Sequence, residues 1–64
     1  MPHVQITLLE GRSPEQKRKV VERVTQTLVE ELGTNKEAVV ITFLEVSSAD
    51  YASAGSLALD KQKK

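Results

Sequence analysis

Residues 12–33 read RSPEQKRKVVERVTQTLVEELG, and this stretch decides the fold. Ser13 can cap a helix with its hydroxyl. Pro14 suits the first helical position, where its fixed φ helps and its missing amide hydrogen would have no partner. Gln16 follows Ser13 by three residues, as a capping box requires. Val20, Val24, Leu28 and Leu32 then form one stripe with Val21 and Val29 on its shoulder, while Lys19, Glu22, Arg23, Gln26 and Glu30 lie opposite. The pattern predicts a helix from Pro14 to Leu32 with one buried side, stopped by Gly33.

On the N-terminal side, residues 3–9 (HVQITLL) alternate, with Val4, Ile6 and Leu8 on one face and His3, Gln5 and Thr7 on the other. That is the period of a half-buried strand, ending by Gly11. On the C-terminal side, TNKE is a connection and residues 38–46 (AVVITFLEV) are rich in β-branched residues on both faces, which suits a strand covered from both sides. Strand, helix and strand with short links make a βαβ unit with parallel strands. Residues 47–56 (SSADYASAGS) are small and polar apart from Tyr51 and read as a loop or short hairpin. Residues 57–64 (LALDKQKK) read as a docking segment and a basic tail, flexible from about residue 60. The expected class is therefore α/β: a single βαβ unit plus a short C-terminal hairpin, assembling into oligomeric sheets.

The chain of 64 residues is one domain, 1–64. A chain of roughly 60 residues buries only about 60% of the surface its unfolded form exposes. With no cysteine to cross-link it and no ligand set for a structural metal, oligomerisation is the remaining aid to a small core. Two parallel strands under one helix also leave sheet edges and one sheet face open, so a symmetric homo-oligomer is expected. Nine basic and nine acidic residues cancel, and one Phe and one Tyr offer little base stacking, so nucleic acid is an unsuitable partner. No apolar run approaches the roughly 20 residues of a membrane span, which makes a soluble cytoplasmic protein the default.

Most catalytic chemistry is excluded by inventory. No Cys, a single His at position 3 and glycines scattered at 11, 33 and 55 leave no cysteine nucleophile, His-rich metal site or phosphate-cradling loop. Pro2 remains. If Met1 is trimmed, Pro2 becomes a free secondary amine, and an α-amine near pKa 8 moves toward neutrality beside apolar surface or a cation. Such a base is efficient at working pH. Arg12 is the obvious cation, although a strand rising about 3.3 Å per residue puts it roughly 25 Å from Pro2, so a shared pocket needs a second chain. His3 reads as an edge strand residue without a catalytic role, and Arg18 and Arg23 as helix-surface charges.

Residues 2–17, with second-position Pro, LEGRS and EQK at this spacing, closely resemble the start of the 4-oxalocrotonate tautomerase family, and the likeness extends over nearly the whole chain. The resemblance implies a hexamer, a trimer of dimers, in which the trimmed Pro2 is the catalytic base and no cofactor or metal takes part. It implies ketonisation of an enol or 2-hydroxy-dienoate acid, such as a 2-hydroxymuconate- or phenylenolpyruvate-like substrate. Arg12 matches the arginine that holds a substrate carboxylate from a neighbouring subunit. Tyr51 falls where a pocket-lining Phe is common. A second family arginine has Val40 in its place here, which points to a monoacid substrate or to another donor, such as the Tyr51 hydroxyl or a tail lysine (Lys61, Lys63 or Lys64). Alternatives are a non-catalytic oligomeric scaffold and, in a related branch, a hydratase or dehalogenase; the latter uses a carboxylate near Ser53, for which only Asp50 is at hand.

Overall fold

The computed structural model describes residues 1–61. Strand β1 (His3–Leu9) leads into helix α1 (Pro14–Leu32). A 3-10 turn (Lys36–Ala38) precedes strand β2 (Val40–Val46), and a second (Ser48–Asp50) precedes a hairpin of β3 (Ala52–Ser53) and β4 (Ser56–Leu57). The short helix α2 (Ala58–Lys61) closes the described chain. Strands β1 and β2 pair in parallel, from His3 opposite Val40 to Leu9 opposite Val46, so the βαβ unit with a C-terminal hairpin is what the chain forms.

Helix α1 begins as its chemistry dictates. The Ser13 hydroxyl accepts from the Gln16 amide at 3.1 Å and the Gln16 side-chain oxygen accepts from the Ser13 amide at 3.0 Å. Two N–H groups that have no partner inside the helix are thereby satisfied. At the other end Gly33 takes φ 68°, a left-handed conformation that costs glycine little, and its amide reaches the Val29 carbonyl at 3.0 Å.

Two expectations change. The covered side of α1 is not the row through Val20, Val24, Leu28 and Leu32: Val20 is 39% exposed and Leu32 62%, while Lys17, Val21, Val24, Thr25, Leu28 and Val29 are partly buried. Steps of four residues advance about 400° and rotate about 40° each around a helix of 3.6 residues per turn, so a strict i+4 row drifts off the sheet. The row 17–21–24–28, with steps of four, three and four, stays on it. The second strand also starts later than expected, because Ala38 belongs to the 3-10 turn and Val39 ends it.

Within one chain β2 is covered on one side only. Ile41 and Phe43 face α1, whereas Val40 is 38% and Leu44 50% exposed on the opposite face. Ala58 is the single buried apolar residue among those described, seated where its amide donates to the Tyr51 carbonyl at 2.8 Å. The polar loop is thus ordered as turn, hairpin and helix. Asp60 and Lys61, where the tail was expected to begin, complete α2, and the Lys61 ammonium donates to the carbonyl and hydroxyl oxygens of Ser53 at 3.0 and 2.6 Å. Lys63 and Lys64 lie outside the described residues.

Candidate active site

The residues singled out in the sequence occupy three places. Pro2 precedes β1, where its carbonyl accepts the amide of Val40 at 3.0 Å. Because proline has no amide hydrogen, the parallel ladder engages Pro2 through its oxygen alone and the nitrogen takes no part in the sheet. Val40 therefore lies beside Pro2 at the head of β2. Tyr51, 40% exposed, links the second 3-10 turn to β3, and its carbonyl holds the start of α2.

Arg12 stands at the far end of β1. It lines an open pocket of about 250 Å³ with Leu8, Gln16, Lys17, Val20 and Phe43. Leu8 and Phe43 come from the sheet, Val20 and Lys17 from the first turns of α1, and Gln16 is the residue already fixed by the helix cap. The walls are mostly apolar, and charge is concentrated in two side chains. Lys17 is committed: its ammonium pairs with Glu45 and stands 5.7 Å from the centre of the Phe43 ring. That pair is the one ion pair found among the described residues, so the Arg12 guanidinium is left for something else. Arg12 also sits beside the N-terminus of α1, where the helix dipole disfavours a cation, so its presence there gains nothing for the helix itself.

Pro2 and Arg12 are brought no closer by folding. Strand β1 runs between them, and six rises of about 3.3 Å separate its ends by roughly 20 Å. Sequence reasoning did not find Lys17, Phe43 or Glu45 as partners of the Arg12 pocket. In the sequence Lys17 figures only as part of the EQK motif, and only the pairing of a helix residue with one 28 positions later reveals its role beside Arg12.

A family model described as "Tautomerase enzyme" matches residues 2–60. The chain belongs to the tautomerase family. It is 40% identical over 62 residues to 2-hydroxymuconate tautomerase of Bacillus subtilis, covering 97% of the present chain and 100% of the relative. Its fold superposes with a TM-score of 0.91 on a 4-oxalocrotonate tautomerase isozyme from Methylibium petroleiphilum, at 36% identity and 95% coverage of both chains. A heterohexameric 4-oxalocrotonate tautomerase from Chloroflexus aurantiacus superposes at 0.88 and 25% identity, covering 94% of this chain and 97% of the other. The tautomerase fold is thus shared along nearly the whole chain. Among the described residues no helix is long and apolar enough to cross a membrane.

Proposed function

We propose that this tautomerase ketonises an enol or 2-hydroxy-dienoate acid, with the amine of Pro2, freed by removal of Met1, as the base. The observation that carries the reading is the setting of Arg12: an uncommitted guanidinium in a small pocket with apolar walls, a setting that suits the carboxylate of a conjugated acid. The neutral amine takes the proton from the enol oxygen, the electron pair of that bond forms the carbonyl, and the double bond shifts. The resulting ammonium then returns the proton to carbon, so the reaction is a net isomerisation and needs no cofactor.

The pocket of Arg12 and the nitrogen of Pro2 meet between copies of the chain. Val40 and Leu44, exposed on the uncovered face of β2, supply apolar surface for that assembly, and the heterohexameric relative supports a homohexamer here, a trimer of dimers. Assembly buries the amine, and enclosure by apolar groups next to a cation favours its neutral form. The Tyr51 ring walls the pocket, and Val40 contributes apolar contact where no cation is present. The protein works in the cytoplasm on a small acid.

Replacement of Pro2 by Ala tests the reading, with decay of 2-hydroxymuconate and of phenylenolpyruvate followed by ultraviolet absorbance. General-base catalysis contributes roughly 10²- to 10⁴-fold. A fall in kcat/KM of that order is expected, and rates within a few-fold of the unaltered protein would remove Pro2 from the mechanism.

A further inference from the structure

Strand register sets His3 directly opposite Val40 and Gln5 opposite Thr42. Alternation puts all four side chains on the face turned away from α1, because Leu8, Phe43 and Glu45 meet the helix on the other. His3 is exposed, and its Nε2 lies 3.2 Å from the Thr42 hydroxyl, so the ring is drawn across the strand pair rather than left free. On this face the neighbours of the imidazole are Val40 and Thr42 from β2 and Gln5 from its own strand, none of them ionisable. Charged groups at this end are the amine that Pro2 would carry one residue away and, in the 3-10 turn that leads into β2, Lys36 and Glu37. Lys17 and Glu45 are paired with each other on the opposite face. On this face of the strand pair His3 is therefore the one cation-capable side chain, and it lies at the end that holds Pro2.

From this placement, and resting on the reading of Pro2 as base, we propose that His3 is a specificity-determining residue: its imidazole binds the second carboxylate of a dicarboxylate enol acid at the Pro2 end of the site, while Arg12 of another copy binds the first. Val40 offers no side-chain donor of its own, and the two residues are cross-strand neighbours on one face, so the imidazole is the donor that stands next to Val40. A charge-assisted bond from imidazolium to carboxylate is stronger than the bond from a neutral ring, so bound diacid and protonated His3 stabilise each other. Sequence reading assigned His3 no role because a lone histidine on an alternating strand carries no sign of what lies across from it.

Two measurements test the proposal. His3 is the chain's single histidine, so its imidazole signals in NMR need no assignment by mutation. Titrating the protein with and without cis,cis-muconate, a dicarboxylate with no enol to turn over, should move the titration midpoint of those signals upward by about 0.5 unit or more, the sense expected when an anion approaches. An unmoved midpoint at saturating muconate would overturn the proposal. In the second, His3→Asn should raise KM for 2-hydroxymuconate at least tenfold with kcat within about threefold, and leave KM for the monoacid phenylenolpyruvate unchanged; equal effects on both acids, or on neither, would overturn it. If the unaltered protein turns over neither enol, the tautomerase reading fails by itself and the NMR titration alone decides whether His3 binds the diacid.

Discussion

The Pro2 carbonyl accepts the Val40 amide at 3.0 Å, so the residues that begin the two strands are locked side by side through an oxygen, and the Pro2 nitrogen is left out of the sheet. Folding and the proposed chemistry at Pro2 therefore depend on different atoms. Inserting Ala between Met1 and Pro2 keeps the carbonyl bond and turns the nitrogen into an imide with no basic lone pair. Thermal unfolding of the insertion variant should match that of the unaltered protein, while enol turnover falls by roughly 10²- to 10⁴-fold.

Arg12 lines a pocket with apolar walls and makes no ion pair among the described residues, where Glu45 is taken by Lys17. Hydrogen bonds to charged groups contribute about 1.5–3 kcal/mol. Arg12→Ala should accordingly raise KM roughly 10- to 150-fold for mono- and diacids alike, measured by steady-state kinetics. An unchanged KM would place the carboxylate elsewhere.

Leu44 is 50% exposed in the single chain, on the sheet face that α1 does not cover. If copies of the chain bury it, a carboxylate there must be desolvated or kept in water, at a cost of several kcal/mol. Leu44→Asp should sediment as a smaller species than the unaltered protein at equal concentration and lose at least about tenfold in activity; a native assembly would show that the interface lies elsewhere.

Ala54 takes φ 51° and Gly55 φ 80° in the two-residue turn between β3 and β4. Positive φ at both positions fits a type I′ turn, where Asn precedes Gly by preference, and an alanine there is strained by about 1–2 kcal/mol. Ala54→Asn should raise stability by about 0.5–1 kcal/mol in urea unfolding at fixed protein concentration, without changing kcat.

Residues close together in the chain announced what depends on local bonds. Ser13, Gln16 and Gly33 mark the ends of α1 because each acts on backbone groups three or four positions away, and the alternation of residues 3–9 marks β1 because side-chain direction is built into an extended backbone. The resemblance of residues 2–17 to a known family was equally open to reading, since it rests on neighbouring positions.

Tertiary structure alone decided what faces what. It turned the buried side of α1 from Val20 and Leu32 toward Lys17 and Val21, joined Lys17 to Glu45 beside Arg12, and placed His3 across from Val40. These relationships span 28 and 37 residues of chain. Their geometry is fixed by strand register and by the rotation of a helix over a sheet, and a shift of one residue in the register would have turned every side chain of the second strand to the other face.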